Sequence, residues 1–506
     1  MSYAKVLAVG LVGLAGHLVE VEADLAAGLP GLTLTGLPDT ALSEARDRVR
    51  AALVNSGESW PNRRITVNLL PAALPKHGSV FDLAIAVGVL AGAGELPLAP
   101  LGGVVLLGEL GLDGTVRPVR GVLPGVLAAA RAGITKAVVP VANAREAALV
   151  PGMTVRATDS LRRLIDFVRG AGPLLAIPPA PVPSTMDGPD LADVVGQELG
   201  RRGLELAAAG GHHLSLIGPP GAGKTMLARR LPGLLPPLSD AAALEVTAVH
   251  SVAGALPPDS PMIRRPPFQA PHHSASVAAL VGGGSGLARP GSISLAHLGV
   301  LFLDEAPEFG VRALEALRQP LESGEVILAR AQGTARYPAR IQLVLAANPC
   351  PCAKPGGDAY CECSAQVRRR YLGRLSGPLL DRVDLQVRLM PVTAAQLLQD
   401  AGSVESSAVV AERVAKARAA AAARWAEHGW QTNAEVPGQV LRRRPWRLSR
   451  LSTVELERHL TAGALSARGY DRVLRIAWTI ADLDGRTHPG GGDVTEAMSM
   501  RMGRVE

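Results

Sequence analysis

One eight-residue stretch has the residue types and spacing of a phosphate-binding loop. The sequence GPPGAGKT follows an apolar segment, HLSLI, and precedes a helical pattern, MLARRLPGLL. Its residues are Gly218, Pro219, Pro220, Gly221, Ala222, Gly223, Lys224 and Thr225. Glycines let backbone N–H groups close around a β-phosphate at a helix N-terminus, the lysine reaches the β- and γ-phosphates, and the hydroxyl ligates Mg²⁺. We therefore expect ATP and Mg²⁺ to bind at this loop.

Two further apolar segments end in polar residues that suit nucleotide hydrolysis. GVLFLDE ends in Asp304 and Glu305, and IQLVLAAN ends in Asn348. A carboxylate beside the phosphate loop can hold the Mg²⁺ shell, its neighbour can polarise water, and an amide can orient that water. Solvated acids at a strand end and an ordinary Asn-Pro turn are the alternatives. The phosphate loop upstream favours the catalytic interpretation.

All four cysteines of the chain lie in one short loop, NPCPCAKPGGDAYCEC. Cys350, Cys352, Cys361 and Cys363 have the spacing C-x-C-x8-C-x-C. Four thiolates around Zn²⁺ would brace a loop that has almost no apolar content of its own. An iron–sulphur cluster and a redox pair are the alternatives. We expect a structural zinc site rather than a disulfide, since disulfides are rare in the cytoplasm.

Two arginines are candidates for stabilising the charge that develops on a transferred phosphoryl group. Arg382 lies in LLDRVDL and Arg468 lies in LSARGYDRVLR. A guanidinium from a neighbouring subunit can perform this task. Because the chain is rich in arginine, an unrelated surface role is the alternative for either residue.

The patterns that flank these motifs predict three folded units. Residues 1–171 read as an α/β unit, because strand patterns such as RRITVNLL alternate with helices, one of which places Ala41, Ala45, Val49 and Leu53 on one face. Residues 172–190 form a proline-rich linker. Residues 191–390 contain three continuous apolar strands, as in a parallel sheet covered by helices. Residues 391–506 are predicted to be a helical lid.

Composition and charge exclude several classes of protein. The chain is 47% hydrophobic and 19% charged, which is typical of a globular protein rather than a disordered one. The net charge of +7 suits a polyanionic partner, although the bias towards arginine weakens this indication. The apolar start, from Val6 to Gly16, imitates a signal peptide but runs directly into a strand pattern. We expect a cytoplasmic protein without a membrane partner.

The order of these motifs resembles the AAA+ ATPases, and more closely the YifB/ComM family of magnesium-chelatase-like ATPases. The stretches that carry the closer resemblance are APHHSASVAALVGGG, RPGSISLAHLGVLFLDEAPEF and NPCPC. The resemblance implies that Asp304 and Glu305 are the Walker B pair, Asn348 sensor 1, Arg382 the arginine finger and Arg468 sensor 2. It also implies that the segment DVVGQ, around Gly196, lies by the adenine.

The resemblance further implies a homo-hexameric ring with two loops in its pore. These loops correspond to residues 268–293 and 325–341, and they contain Arg289, Arg330, Arg336 and Arg340. Arginines and flexible glycines suit a DNA strand that threads past them. His272 and His273, in the first loop, are interpreted as polar loop residues rather than as metal ligands.

The N-terminal unit resembles the protease domain of Lon-type enzymes but departs from it at the catalytic dyad. Alignment places Val80 and Leu123 at the positions of the Lon serine and lysine, and Ser79 lies next to the first. Without a basic residue at position 123, no evident group activates a serine. We expect an ATP-driven motor on DNA, like the ComM helicases that migrate branched junctions. A magnesium-chelatase ATPase subunit and a Lon-like peptidase are the alternatives.

Overall fold

The computed structural model describes residues 3–36, 44–179, 188–257, 261–284, 288–330, 333–354, 361–393 and 404–503. Ala41 of the predicted first helix and residues 180–187 of the predicted linker lie outside this part of the chain. Among the described residues, no helix has the length and apolar character needed to cross a bilayer. The boundaries of the three units remain predictions.

The N-terminal unit folds around a mixed seven-stranded sheet. The strands of this unit are β1 (Tyr3–Val12), β2 (Ala15–Ala26), β3 (Gly31–Thr35), β4 (Arg64–Leu70), β5 (Val104–Leu106), β6 (Glu109–Leu110), β7 (Val116–Arg117), β8 (Lys136–Pro140) and β9 (Thr154–Thr158). The order in the sheet is β3-β4-β2-β1-β5-β8-β9, and β6 pairs with β7 in a separate ribbon. The apolar start of the chain is therefore strand β1, paired antiparallel with β2.

Among the described residues of the unit, five helices cover this sheet. They are α1 (Ala45–Asn55), α2 (Asp82–Ala93), α3 (Val122–Arg131), α4 (Ala144–Ala147) and α5 (Leu161–Val168). Helix α2 is apolar on every side and is buried from Asp82 to Gly92, because it packs against β1 and β2 inside the unit. The helix predicted around Ala45, Val49 and Leu53 is present as α1, with all three side chains buried.

The sequence VVLLGELGLDGTVRPV, from Val104 to Val119, predicts a hairpin around an Asp-Gly turn, but the hairpin in the structure is smaller. Only β6 and β7 pair as a hairpin, around a turn in which the Asp113 carboxylate accepts from the Thr115 N–H at 3.1 Å. Strand β5 instead lies between β1 and β8 in the main sheet, parallel to both. Its three residues are all buried, which is typical of a central parallel strand.

The second unit has a five-stranded sheet whose strands are all parallel. The described strands of the whole unit, including four that lie outside this sheet, are β10 (Leu214–Ile217), β11 (Phe268–Gln269), β12 (Gly282–Gly283), β13 (Arg289–Pro290), β14 (Val300–Leu303), β15 (Glu325–Arg330), β16 (Gly333–Pro338), β17 (Gln342–Ala347) and β18 (Leu385–Arg388). The sheet order is β11-β14-β17-β10-β18. The three predicted strands form its centre, and β11 and β18 are edge strands that the pattern did not reveal. The carboxyl ends of β10, β14 and β17 therefore lie side by side.

In the described part of this unit, nine helices and two small hairpins surround the sheet. The helices are α6 (Glu198–Gly210), α7 (Lys224–Leu234), α8 (Asp240–Ala253), α9 (Val277–Val281), α10 (Ser292–Leu295), α11 (Val311–Ala316), α12 (Arg318–Ser323), α13 (Ala365–Leu372) and α14 (Gly377–Leu380). Strands β12 and β13 pair antiparallel, as do β15 and β16. We call these two pairs the basic hairpins, because they carry Arg289 and Arg330. The two hairpins are in contact. Gly283 of β12 lies so close to Arg330 of β15 that a Cβ atom added to this glycine would be 3.4 Å from Nη2 of the arginine.

The C-terminal part is helical and shares a hydrophobic core with the second unit. Its helices are α15 (Ser407–Arg424), α16 (Gly438–Leu441), α17 (Arg450–Thr461), α18 (Ala467–Leu483) and α19 (Gly491–Met502). Buried Asp384, which precedes β18, accepts from the backbone N–H of His213 at 3.0 Å and also pairs with Arg472 of α18. Burial opposes its ionisation, but Arg472 and the neighbouring histidines hold the pKa of Asp384 well below its usual range. This pair ties the lid to the sheet.

The N-terminal unit packs on the elements that lead into the basic hairpins. The hydroxyl of Ser251, on α8, donates to buried Glu146 at 2.6 Å. Tyr337 of β16 is buried beside Leu11 and Leu14, and its hydroxyl donates to the carbonyl of Ala288. The first unit is therefore in direct contact with the substrate loops that the resemblance predicts.

Candidate active site

The phosphate-binding loop connects the buried strand β10 to the first turn of α7. Gly221 and Gly223 have φ values of +77° and +83°, and a Cβ at either position would meet no other atom within 4 Å. Glycine is therefore required by the backbone angle and not by crowding. The backbone N–H groups at the start of α7 then line an open cradle, which fits a phosphate.

The Lys224 side chain folds back into this loop. Its ammonium donates to the carbonyl oxygens of Gly218 and Pro219 at 2.6 and 2.9 Å, and to Oδ1 of Asn348 at 3.0 Å. Burial lowers the pKa of Lys224, and the charges of Asp304 and Glu305 oppose that shift. The phosphate loop, the end of β17 and the end of β14 thus meet around the ammonium group of Lys224.

A hydroxyl and a carboxylate lie together at the place expected for Mg²⁺. The hydroxyl of Thr225 donates to Oδ2 of Asp304 at 2.7 Å. Mg²⁺ prefers oxygen ligands and is usually held by one or two protein groups together with water and substrate phosphates. The two oxygens and the open cradle beside them therefore fit Mg²⁺ bound with a nucleotide.

Glu305 has an unusual backbone and an exposed side chain. Its φ is +50°, a region that costs a non-glycine residue free energy and is typical of functional sites. Its N–H donates to Oδ1 of Asp304 at 3.0 Å. Its carboxylate lies 3.2 Å from Nδ1 of His273. The sequence pattern did not assign this contact, which depends on how β11 and β14 are aligned.

Arg382 and Arg468 lie together at a different place from the phosphate loop. Both line a cavity of about 270 Å³ that also contains Glu322 and Asp381 and none of the loop residues 218–225. Arg382 is largely buried, pairs with Glu322 and donates to the carbonyl of Pro378 at 2.6 Å. Arg468 is exposed and lies 3.4 Å from Asp381. We call this group of residues the arginine face.

The four cysteines form a cluster two residues beyond Asn348. Their sulphur atoms all lie within 4.8 Å of one another, and Cys350 is 3.1 Å from Cys352 and 3.4 Å from Cys361. Sulphur atoms about 2.3 Å from a tetrahedral zinc ion would be about 3.8 Å apart, so the cluster needs only small shifts to hold Zn²⁺. Residues 355–360, between the two cysteine pairs, lie outside the described part of the chain.

Comparison with known protein families shows which proteins this chain is similar to. Magnesium chelatase, subunit ChlI, matches residues 190–397, its C-terminal family matches residues 404–501, and a third family, subunit ChlI of Mg-chelatase, matches residues 21–143. The uncharacterized protein Rv2897c of Mycobacterium tuberculosis is 56% identical over 99% of both chains. YifB of Salmonella typhimurium is 43% identical over 99% of this chain and 97% of its own length. Competence protein ComM of Haemophilus influenzae is 42% identical over 99% of this chain and 98% of its own length.

The chain belongs to the YifB/ComM family. It is a magnesium-chelatase-like AAA+ ATPase, which agrees with the phosphate loop, the acid pair and the strand-end amide described above. A Lon protease of Salinispora arenicola is 31% identical over 188 residues, which cover 36% of this chain and 24% of that protein. The predicted fold is therefore confirmed: an α/β chain with an AAA+ P-loop core and parallel sheet, a Lon-protease-like N-terminal α/β unit and a helical C-terminal lid.

The two positions that align with the Lon catalytic dyad carry apolar side chains in this YifB/ComM protein. Leu123 is fully buried and Val80 is partly buried. The Ser79 hydroxyl donates to the carboxylate of Glu109, and the ammonium of Lys76 donates to the carbonyl of Pro71. In neither bond does a basic nitrogen accept the proton of the serine, and the absence of peptidase activity stays our prediction.

Proposed function

We propose that this protein is an ATP-driven homo-hexameric motor that acts on branched or single-stranded DNA, like ComM. One observation carries the proposal: the two basic hairpins touch each other on the chain that also carries the phosphate loop, the acid pair and Asn348. Arg289 and Arg330 are exposed and make no ion pair with the described residues. Arg336 and Arg340 are instead paired with Glu325 and Glu245. The two unpaired guanidinium groups are therefore the ones available to phosphates.

The chain's own residues divide the work of hydrolysis. The loop N–H groups and Lys224 hold the β- and γ-phosphates, Glu305 accepts a proton from the attacking water, and Asn348 orients that water. Thr225 and Asp304 would hold Mg²⁺, which would neutralise charge on the phosphate oxygens. ATP hydrolysis supplies the free energy, and the basic hairpins move and thereby displace the bound DNA.

A ring explains why the arginine face lies apart from the phosphate loop. Arg382 and Arg468 share one cavity, and none of the described hydrogen bonds of Lys224, Thr225 or Asn348 involves either of them. In a closed ring each subunit presents a different surface to each neighbour. The arginine face of one subunit then completes the nucleotide site of the next.

DNA should stimulate ATP hydrolysis, and the stimulation should depend on the two unpaired arginines. We expect Arg330→Ala, alone or with Arg289→Ala, to weaken DNA binding and to reduce the slope of log K against log salt by about one unit for each arginine. Fluorescence anisotropy and steady-state ATPase assays measure both effects.

Arg336→Ala is the matched control for this experiment, because it removes an arginine of the same hairpin that is already paired with Glu325. Equal losses in the Arg330 and Arg336 variants would contradict the assignment of the DNA contact. ATP turnover that does not respond to any DNA would contradict the motor itself.

The magnesium-chelatase name of the matched families supports a second candidate, an ATPase subunit that drives Mg²⁺ insertion into a porphyrin. The basic hairpins favour the DNA motor, since a porphyrin substrate held by a partner gives the exposed arginines no task. Magnesium insertion by this chain with a chelatase partner, without any response to DNA, would reverse this preference.

We further propose that the cysteine cluster holds structural Zn²⁺. We expect the double variant Cys361→Ser and Cys363→Ser to fall from about one zinc per chain to nearly none, and to melt at a lower temperature, since metal binding contributes directly to folding. Atomic absorption and thermal denaturation are the measurements. Glu362→Ala is the control, because Glu362 lies between the two cysteines and pairs only with Lys354 among the described residues. Unchanged zinc content in the double variant would disprove the site.

A further inference from the structure

The lid carries a second group of exposed arginines, far along the chain from the basic hairpins. The segment RRRPWRLSR, residues 442–450, contains five arginines and no acidic residue. All five arginines are exposed. Hydrolysis and the contact of the basic hairpins with DNA leave this segment without a task.

The apolar residues of this segment hold it on the lid. The N–H of Arg447 donates to the carbonyl of Arg443 at 2.9 Å, which closes one turn of the backbone. Trp446 and Leu448 are partly buried and pack on the hydrophobic core that the lid shares with the second unit. The arginines therefore lie on a fixed surface rather than on an unanchored loop.

Three of the five arginines have no acidic partner among the described residues. Arg442 pairs with Asp471 of α18, and Arg447 lines a cavity together with Glu457 of α17. Within the described chain, no ion pair or side-chain hydrogen bond involves the other three, which are Arg443, Arg444 and Arg450. We call these three residues the lid arginines.

We propose that the lid arginines bind the phosphate backbone of a duplex arm of the branched DNA, apart from the strand that contacts the basic hairpins. The choice of DNA as the polyanion rests on the proposed function. A guanidinium group binds phosphate oxygens through two parallel hydrogen bonds, and duplex DNA carries one negative charge for about every 1.7 Å of its axis. Three unpaired arginines within a short, anchored segment match this density of charge.

The surroundings of the lid arginines favour a duplex over a single strand. Proteins that hold single strands without sequence preference combine a basic groove with aromatic faces on which the bases stack. Trp446 is the aromatic residue of the segment, and its ring packs inside the lid, with its centroid 4.6 Å from that of Trp425 and 5.9 Å from that of Trp478. Contacts to phosphates alone need no unstacked bases, so an intact duplex satisfies them.

Two separate basic surfaces suit a junction better than a simple strand. Helix α16 ends at Leu441 and α17 begins at Arg450, so the segment joins two lid helices, which pack against α18 and α19 respectively. The basic hairpins belong to the second unit instead. A junction offers a duplex arm to one surface and a single strand to the other, and the second contact then forms at a high effective concentration.

Fluorescence anisotropy of the full-length chain with a three-armed junction, a blunt duplex and a single strand tests the proposal. We expect the triple variant Arg443→Ala, Arg444→Ala and Arg450→Ala to bind the duplex at least about tenfold more weakly, and to lose about three units from the slope of log K against log salt. The affinity of this variant for the single strand should stay within about twofold of the unmodified protein. The junction concentration that half-maximally stimulates ATP hydrolysis should rise about tenfold, while kcat without DNA stays unchanged.

Two further variants separate a phosphate contact from a structural role. The triple variant Arg443→Lys, Arg444→Lys and Arg450→Lys keeps the three charges and should retain the salt slope. Arg458→Ala is the matched control, because it removes an exposed arginine of α17 that already pairs with Glu455. The affinity of the Arg458→Ala variant for the duplex should stay within about twofold of the unmodified protein.

Three results overturn the proposal. The first is an unchanged duplex affinity in the triple alanine variant, and the second is an equal loss for the duplex and the single strand. The third is an equal loss in the alanine and lysine variants, since a disturbed fold rather than lost charge then explains the effect. Failure of the motor proposal is distinguishable, because duplex binding then still depends on the lid arginines while ATP turnover responds to none of the three DNA molecules.

Discussion

Glu305→Gln should bind ATP normally and hydrolyse it at least about 100-fold more slowly. The amide has almost the same shape as the carboxylate but cannot accept a proton from water. The phosphate loop and Lys224, which are expected to hold the phosphates, make none of their described hydrogen bonds to Glu305, so nucleotide binding should be unaffected by the change. Single-turnover hydrolysis and equilibrium binding of a fluorescent nucleotide separate the two effects.

Glu308→Gln is the matched control for that substitution. Glu308 lies three residues further along the chain and bonds to Arg374 at 3.0 Å, away from the phosphate loop. The rate of ATP hydrolysis by the Glu308→Gln variant should remain close to that of the unmodified protein. If Glu305→Gln keeps its hydrolysis rate within tenfold, the general base is a different residue.

Arg382→Ala should lower kcat by about a thousandfold or more, since an arginine finger contributes this much to phosphoryl transfer. The arginine face lies apart from the phosphate loop, so the effect should act on the neighbouring subunit's nucleotide. Lys224→Ala should also be inactive, because it removes the cation of the phosphate loop. Mixing the two variants distinguishes an Arg382 that acts on the nucleotide of a neighbouring subunit from an Arg382 that acts within its own subunit.

Random mixing at equal amounts creates interfaces in which an intact phosphate loop faces an intact Arg382. We expect up to about a quarter of the normal ATPase activity to return in such a ring. No recovery would contradict an arginine that acts between subunits. Recovery also shows that both variants fold and assemble, which excludes misfolding as the cause of the loss.

That the phosphate loop lies beside the ends of β14 and β17 can be predicted from the sequence, because each motif has a fixed place in a parallel sheet. A glycine-rich loop after an apolar strand, and polar residues at the ends of two further strands, must meet when the carboxyl ends of those strands lie together. The bonds from Lys224 to Asn348 and from Thr225 to Asp304 are the result. The clustering of the four cysteines could also be predicted, because all four lie within one short loop of the chain.

The elements that sequence patterns missed are short or depend on long-range alignment. Strand β11 has two residues, too few for a periodic pattern to be recognised, and β18 has the sequence LQVR, which polar residues interrupt, instead of a continuous apolar run. The contact of His273 with Glu305 depends on the register of β11 against β14, which no local pattern encodes. The pairing of Arg382 with Glu322 likewise joins residues that are far apart in the chain.

Docking of the N-terminal unit was also beyond sequence patterns. The buried Glu146 accepts from both Ser251 and Asn143, and burial raises its pKa while these two bonds oppose the shift. Nothing in the run around Glu146 distinguishes it from a surface glutamate. Its role as a contact between units is visible only when α4 and α8 are seen together.

Strand displacement from a branched DNA substrate tests the central claim most directly. The unmodified protein, with its zinc content determined, should displace a labelled strand from a three-armed junction when ATP and Mg²⁺ are present. Lys224→Ala should bind the same junction but displace no strand. If the unmodified protein hydrolyses ATP and still displaces no strand from any junction, it is not a DNA motor of the ComM type.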